Sequence, residues 1–158
     1  TDVHQSVTRE QWSGRGNHPN WHPDGENIIM NLTPSWLGEK EMRFCMFHHT
    51  GKNFQILSKK FAGSGHPSVS PDSQWLISDY YVKEYVSDTS VGSPIRIINL
   101  PVEEEIKICT VFTDLKIQDS TYRVDPHPAW SRDYKKICFN AAPDGIRQVF
   151  VADLSDKL

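Results

Sequence analysis

Short apolar runs alternate with turn residues along the whole chain. Residues 136–140, Lys-Ile-Cys-Phe-Asn, and residues 147–154, Arg-Gln-Val-Phe-Val-Ala-Asp-Leu, are rich in residues that favour strands. Between them, residues 142–145, Ala-Pro-Asp-Gly, form a turn sequence, because proline fixes one backbone angle and glycine permits a positive one. No segment has a convincing helical spacing of apolar residues. The pattern therefore predicts an all-β protein of short antiparallel strands.

One motif begins three of these strand groups. Residues 18–24 read HPNWHPD, residues 66–72 read HPSVSPD, and residues 127–133 read HPAWSRD. In each copy an Asp lies six places after the His, and an apolar run follows. The run ends on an Asn or Asp seven places after that Asp: Asn31, Asp79 and Asn140. The copies lie 48 residues (18 to 66) and 61 residues (66 to 127) apart, close to the ~40–50 residues of a β-propeller blade.

We predict one β-propeller segment over residues 1–158, with about three four-stranded blades. The blades lie approximately at residues 15–61, 62–117 and 118–158. A long loop over residues 82–94 explains the greater length of the second copy. An arginine opens the third strand of each copy: Arg43, Arg96 and Arg147.

Three blades do not close a propeller, which needs ~4–8. Two faces of apolar sheet would stay open, and such faces associate. We therefore expect either missing N-terminal blades, because the ending VADLSDKL resembles a natural last blade, or a homo-oligomer that completes the ring. An intact β-sandwich is the alternative fold.

Composition and charge exclude several classes of function. The net charge is −3, which gives no general attraction to nucleic acid or to an anionic membrane. No apolar run approaches the ~20 residues of a membrane span. The three cysteines lie far apart in apolar surroundings without CxxC spacing, so we predict buried small side chains instead of a zinc site: Cys45, Cys109 and Cys138.

The repeat itself suggests where chemistry would lie. The first strand of each propeller blade lines the central channel, so His18, His66 and His127 should converge at one mouth of it. Their imidazoles, together with Asp125, suit a divalent metal such as Mn, Fe or Zn. Alternatively, the histidines and the channel arginines, Arg123 above all, suit a polyanion, because a guanidinium holds a carboxylate by two parallel hydrogen bonds.

Other repeat residues have a structural interpretation. A histidine before proline can cap backbone groups and have no further role. The aspartates of the motif are predicted to bond their own turn: Asp24, Asp72 and Asp133. The residue three places after each motif His is predicted to lie in the core: Trp21, Val69 and Trp130. The remaining histidines of the first copy are predicted to be turn residues, the first of them exposed: His22, His48 and His49.

The pattern HPxxSPDxxxLIxx, followed by GIRQVFVADL, resembles the TolB-like repeat, also called the WD40-like or PD40 repeat, over about residues 15–158. Residues 122–154 look closer still to propellers related to oligogalacturonate lyases, in which an Asp/His-Pro segment precedes the final blade. That resemblance implies β-elimination from uronate-containing oligosaccharides. A metal or arginine would neutralise the C6 carboxylate, and a base would remove the C5 proton.

The lyase resemblance also implies roles for individual residues. His66, Asp125 and His127 fall near the metal-ligand positions, with Mn the favoured ion, and Arg123 and His127 would act in catalysis. The residues predicted to contact an anionic oligosaccharide are Asp79, Tyr80 and Arg147. The family's Gln-x-x-His-x-His run is replaced by Tyr122, Asp125 and His127, which leaves fewer nitrogen donors.

Two functions stay open at this point. One is a carbohydrate-active propeller that binds or cleaves uronate-containing oligosaccharides. The other is a non-catalytic TolB-like scaffold for protein–protein interaction, because a fold alone does not specify chemistry. The resemblance favours a periplasmic or secreted protein, and a cytoplasmic location is also compatible.

Overall fold

The structure is a computed structural model that describes residues 15–81, 90–114, 116–117 and 120–157. The first sheet contains β1 (Gly16–Trp21), β2 (Asn27–Leu32), β3 (Arg43–His48) and β4 (Gln55–Ile56). The second contains β5 (Ser68–Val69), β6 (Trp75–Asp79), β7 (Ser90–Asn99) and β8 (Glu104–Asp114). The third contains β9 (Ala129–Trp130), β10 (Lys136–Ala141) and β11 (Gln148–Asp153).

Each sheet is an antiparallel meander in which strands adjacent in sequence pair with one another. The all-β prediction is confirmed. A single 3-10 turn, Ser35–Leu37, is the only helical element in the described ranges. No helix among the described residues has the length and apolar character to cross a bilayer.

The third sheet departs from the expected four strands. In the first two sheets the third strand pairs with a fourth, β3 with β4 and β7 with β8. In the third sheet, β11 pairs with β10 and has no fourth strand among the described residues. The part of the chain that the structure describes therefore ends in an edge strand.

The core lies between neighbouring sheets, as it does between the stacked blades of a propeller. The first and second sheets meet through buried side chains from both: Ile29, Phe44, Met46, Val69, Leu76 and Ile98. The second and third sheets meet in the same way through Ile77, Ile95, Ile97, Val111, Ile137 and Leu154. Consecutive residues such as Leu76 and Ile77 therefore serve opposite faces of one sheet, as the two-residue period of a strand requires.

The second copy contains a longer strand than the sequence predicts. Residues 90–94, Ser-Val-Gly-Ser-Pro, fall in the predicted loop over residues 82–94, yet they belong to β7. Pro94 pairs with Thr110 of β8, and its carbonyl accepts the Tyr80 amide at 3.1 Å. Pairing with the long strand β8 keeps these residues extended, although their composition favours a loop. Arg96 therefore lies inside β7 instead of opening it. Residues 82–89 of that loop lie outside the described residues.

The predicted aspartate turns are confirmed. One carboxylate oxygen of Asp24 accepts the amides of Glu26 and Asn27 at 2.8 and 2.9 Å. The equivalent oxygens of Asp72 and Asp133 each accept the amide two residues on, at 3.1 and 3.2 Å. The repeat aspartates therefore stabilise the hairpin between the first and second strands.

Two predictions about the first copy are wrong. Trp21, expected in the core, is 55% exposed, because it pairs with Ile28 and shares the face that points away from the second sheet. His22, expected to be exposed, is 4% exposed. Its Nε2 lies 2.9 Å from the Ser73 hydroxyl of the second sheet, so the side chain joins two hairpins.

The three cysteines are free thiols, and only Cys45 is fully buried. Burial raises the pKa of the Cys45 thiol to about 12, so it stays protonated as a small apolar side chain. Cys109 and Cys138 are half-buried, less than the sequence predicts.

Candidate functional site

The three histidines of the repeat meet at one end of the sheets, which we call the mouth. The ring centroids of His18 and His66 lie 3.9 Å apart, and those of His66 and His127 lie 3.5 Å apart. The rings are inclined by 27° and 25°, so the three imidazoles form a continuous stack. We call these three residues the histidine stack. The predicted convergence is confirmed, and the cause is the repeat, which places the same residue at the entry to each sheet.

The backbone at the histidine stack is unusual. His18 has φ of 52° and His127 has φ of 45°, although a proline follows each of them. Positive φ is uncommon for residues other than glycine, and a following proline disfavours helical conformations further. In the second copy, Gly65 takes the positive angle instead, with φ of 66°. Such conformations persist only where surrounding contacts enforce them.

Contacts at these entry segments come from a residue at the end of the second strand of each sheet or one place before it. Asn31 donates from Nδ2 to Asn17 Oδ1 in its own sheet at 3.0 Å. The same nitrogen donates to the Gly65 carbonyl of the next sheet at 2.7 Å. One amide group thus connects the entry segments of the first and second sheets.

Asp79 performs the same task between the second and third sheets. It is 1% exposed, and its Oδ1 accepts the His66 amide at 2.6 Å. Its Oδ2 accepts the His127 amide at 3.3 Å, and both oxygens lie 3.0 Å from His66 Nδ1. Burial by itself raises the pKa of Asp79, but the hydrogen bonds and charge of His66 outweigh it and keep this pKa below its usual value.

Asn140 is the third residue of this kind. Its Nδ2 lies 3.5 Å from the Asp125 carbonyl, and its amide donates to the Pro126 carbonyl at 2.8 Å. Both contacts lie within the third sheet's own entry segment. No described residue of a following sheet contacts it. We call Asn31, Asp79 and Asn140 the linking residues.

The hydrogen bonds of His18 define its tautomer. Nδ1 lies 2.6 Å from the Gly65 carbonyl, which only accepts, so Nδ1 carries the proton. Nε2 lies 2.9 Å from the Tyr81 hydroxyl and accepts from it. Burial lowers the pKa of His18 and of His127, and the neighbouring charge of His66 lowers both further. His18 and His127 are therefore suited to the neutral imidazole form.

Arg123 and Asp125 neutralise each other beside the stack. Arg123 Nε lies 3.0 Å from both carboxylate oxygens of Asp125, and Nη2 lies 3.0 Å from one of them. Arg147 donates to the Arg123 carbonyl at 2.9 Å. Together with His127 and Asn140, these side chains line an open cavity of about 770 Å³. The predicted catalytic pair Arg123 and His127 thus lines one cavity, with the guanidinium already bound to a carboxylate.

Tyr80 lies elsewhere. Its hydroxyl lies 2.6 Å from Arg96 Nη1, and the Arg96 guanidinium lies 3.9 Å from the centre of its ring. Arg96 is 1% exposed and also donates to the Ala62 carbonyl at 3.0 Å. Tyr80 therefore helps to satisfy a buried cation between the first two sheets. The substrate contacts predicted for Tyr80, Asp79 and Arg147 stay predictions.

The predicted metal ligands are close neighbours, yet their donor atoms do not fit one ion as arranged. His66, Asp125 and His127 line one cavity of about 600 Å³. His66 Nδ1 bonds Asp79, Asp125 bonds Arg123, and the stacked rings place their nitrogens side by side instead of around a common point. Metal binding at the mouth stays a prediction.

Sequence reasoning missed two contributors to this site. Tyr81 bonds His18 across the border between sheets, and the aromatic pair after Asp79 is its only signal in the sequence. Gly65 is the second, since a Cβ there would clash with the backbone and side chain of Asp79. The glycine directly before the second His-Pro motif is the signal that identifies it.

Comparisons with known proteins identify the fold. No protein-family model matches the chain, and no curated protein matches it in sequence. The chain superposes on TolB from Acinetobacter baumannii with a TM-score of 0.61 and 14% identity, covering 92% of this chain and 31% of that one. For the β-propeller domain of the Trilobed protease from Pyrococcus furiosus the TM-score is 0.55 and the identity 15%, covering 91% of this chain and 40% of that one. The fold is thus a β-propeller, and this chain spans less than half the length of either protein.

Proposed function

We propose that this chain is a non-catalytic TolB-like propeller scaffold that binds protein through β11. The observation that carries the proposal is the exposure of this strand. In β3 the side chains from Phe44 to Phe47 are buried, and in β7 those from Ile95 to Ile98 are buried. In β11, the equivalent third strand, Val149 is 70% and Val151 is 64% exposed.

The exposed valines belong to one face of the third sheet. Val149 pairs with Asn140 and Val151 pairs with Cys138, so these four side chains share the face that points away from the second sheet. Nearby, Ile146 is 68% exposed in the turn before β11. Apolar side chains grouped on one open face are typical of protein interaction sites.

The strand edge adds a second means of binding. Since β11 has no fourth strand among the described residues, its outer backbone groups are available to an added strand. The cavity beside Asn140 and Arg147 lies next to this edge and supplies polar contacts at its margin. An apolar centre with a polar margin is the usual composition of an interface.

The partner that fits these features is β11 of a second copy. Two identical strands paired antiparallel across a two-fold axis require only one self-complementary surface. The same pairing would place Val149 and Val151 of each chain beside those of the other chain on one continuous sheet face. This chain spans 31% and 40% of two larger propellers. Association with further sheets would therefore bury sheet surface that three sheets leave open.

Light scattering tests the proposal. The unmodified protein is expected to have the mass of two chains. The double variant Val149→Lys/Val151→Lys is expected to have the mass of one, because charges on an edge strand oppose pairing. Val102→Lys, in the exposed turn between β7 and β8, is the matched control and should keep the mass of two. A single-chain mass for the unmodified protein, or a two-chain mass for the double variant, would contradict the proposal.

The uronate-lyase hypothesis is a separate prediction that this geometry favours less. Arg123 is paired with Asp125, and Asp79 is buried beneath two histidine amides. Of the predicted site residues at the mouth, His127 is the one whose ring has no hydrogen-bond partner among the described residues. A scaffold predicts no unsaturated-uronate product from an oligogalacturonate, with or without Mn²⁺. Formation of that product, and its loss in His127→Ala, would favour the lyase.

A further inference from the structure

We infer that Glu26, His48 and His49 form a binding site for a divalent metal ion of the zinc type. They lie at the end of the first sheet opposite the mouth. Each offers one donor atom, and these atoms all lie within 4.8 Å of one another. Among the described residues this is the one group of three or more such side chains that meets this distance. The inference does not depend on the proposed scaffold function.

The separations already approach those of a metal centre. His48 Nε2 lies 3.0 Å from Glu26 Oε2, and the ring centroids of His48 and His49 lie 4.3 Å apart. Zinc binds imidazole nitrogen and carboxylate oxygen at about 2.0–2.2 Å in a tetrahedron, which places two ligands roughly 3.3 Å apart. An ion would therefore replace the His48–Glu26 hydrogen bond with little movement of either side chain.

The backbone fixes the three residues relative to one another. The His49 amide donates to the Glu26 carbonyl at 2.8 Å, so one ligand's backbone is bonded to that of another. His48 pairs with Asn27, the residue after Glu26, in the β2–β3 ladder. Its amide also donates to the Lys52 carbonyl at 2.9 Å, which closes the turn that follows β3.

Thr50 holds the second ring nitrogen of His48. Its hydroxyl lies 2.7 Å from His48 Nδ1, and its backbone amide donates to Nδ1 at 3.3 Å. In the structure Nδ1 therefore accepts and Nε2 donates to Glu26. When Nε2 binds an ion, the ring proton moves to Nδ1 and the Thr50 hydroxyl accepts a hydrogen bond from it. A hydrogen bond at the second ring nitrogen of this kind orients histidine ligands in metal sites.

The repeat shows that the fold itself does not require these donors. The bond from the His49 amide to the Glu26 carbonyl recurs from Leu100 to Gln74 at 2.8 Å. It recurs again from Leu154 to Lys135 at 2.7 Å. The positions equivalent to the proposed ligands hold Gln74, Asn99 and Leu100 in the second sheet. In the third sheet they hold Lys135, Asp153 and Leu154. Leucine is thus the residue that the other two sheets carry at the place of His49.

The donor set indicates the class of ion. Two imidazoles and one carboxylate suit zinc and its neighbours cobalt and nickel, and they leave a fourth position for water or another ligand. The Glu26 side chain is 67% exposed and that of His48 is 24% exposed, so an ion reaches the site from solvent.

The test is calorimetric titration of the full chain with Zn²⁺, together with the visible absorption of bound Co²⁺, which reports coordination directly. The variants replace each ligand by the residue that the second sheet carries: Glu26→Gln, His48→Asn and His49→Leu. The unmodified protein should bind one equivalent, and each variant should bind at least tenfold more weakly. Absence of saturable Zn²⁺ binding, or unchanged affinity in His49→Leu, would overturn the inference.

A fluorescent reporter locates the ion independently. The Trp21 and His49 ring centroids lie 6.4 Å apart, so Co²⁺ at this site should quench Trp21 fluorescence. Trp21→Phe should remove that quenching and leave Zn²⁺ binding intact. Binding that is lost in His127→Ala and kept in His49→Leu would instead assign the ion to the mouth, and it would contradict the site proposed here.

Discussion

Asp79 and Asn140 occupy the same position of the repeat and differ in what surrounds them. Asp79 is 1% exposed and bonds the entry segments of two sheets. Asn140 is half-buried, bonds its own sheet, and faces an open cavity. The comparison indicates that a linking residue bonds the entry segment of the sheet that follows it. Among the described residues, no sheet follows the third, so Asn140 has no such segment to bond.

The outer faces of the end sheets differ in the same sense. On the first sheet, three apolar side chains of the face that points away from the second sheet are at most 1% exposed: Met30, Leu32 and Cys45. On the third sheet, Val149 and Val151 are about two-thirds exposed. The outer face of the third sheet also carries Asn140 and the Lys136–Asp153 ion pair, so the two faces differ in burial and in composition. This is why the third sheet is the proposed interaction surface.

The largest predicted effect concerns two glycines with positive φ. Gly65→Ala should destabilise the protein by about 4 kcal/mol or prevent folding, because the new Cβ clashes with Asp79 and the backbone angle is strained. Gly145→Ala should cost only about 1 kcal/mol, since a Cβ there meets open space. Urea unfolding measures both. Equal effects would mean that the close approach of Gly65 to Asp79 is absent.

The next effect separates two linking residues. Asp79→Ala removes the acceptor of two part-buried amides and of the His66 ring, so a loss of about 3 kcal/mol is expected. Asn140→Ala should change the unfolding free energy by less than about 0.5 kcal/mol. Chemical denaturation of both variants checks this. A large effect of Asn140→Ala would contradict the idea that its outer side is open.

A smaller effect depends on pH. The pKa of His18 and of His127 is lowered in the folded protein, while in the unfolded chain a histidine titrates near 6.5. The unfolded chain therefore binds more protons below about pH 6.5, so stability should fall as the pH falls from 7 toward 5. Asp79 affects stability at lower pH. Because its pKa is lowered in the folded protein, its contribution to stability is lost only as the pH falls below the usual carboxyl range, about pH 4.

Thermal unfolding at pH 7.5 and 5.5 measures this dependence. The midpoint temperature should drop by about 2–4 °C for each kcal/mol lost. His127→Gln should reduce the drop, because one of the two histidines with a lowered pKa is gone. A midpoint that rises on acidification would contradict the lowered pKa of His18 and of His127.

The sequence predicted the features that repeat. The three-fold spacing of the His-Pro motif was sufficient to predict the strands, the aspartate turns and the convergence of His18, His66 and His127. Each of these depends on local turn chemistry or on repeat geometry, and both can be recognised from the amino-acid sequence alone.

Features that depend on contacts between residues far apart in the sequence could not be predicted in this way. Pairing with the long β8 extended β7 back to Ser90, and contact with Ser73 buried His22. Glu26 and His48 meet because β2 and β3 pair, although 22 residues separate them. At the mouth, the sequence identified Arg123 and Asp125 as candidate groups, but it contained no sign that they bond to each other.

Hydrogen exchange at low and high protein concentration tests the role of β11 most directly. If β11 pairs with its counterpart in a second copy, its amides, in residues 148–153, should gain protection as the concentration rises. Those of β3 should not change, because β4 and the β2 ladder already cover them. Protection of β11 that is independent of concentration, and unaltered in Val149→Lys/Val151→Lys, would contradict the assignment of this strand as the interaction surface.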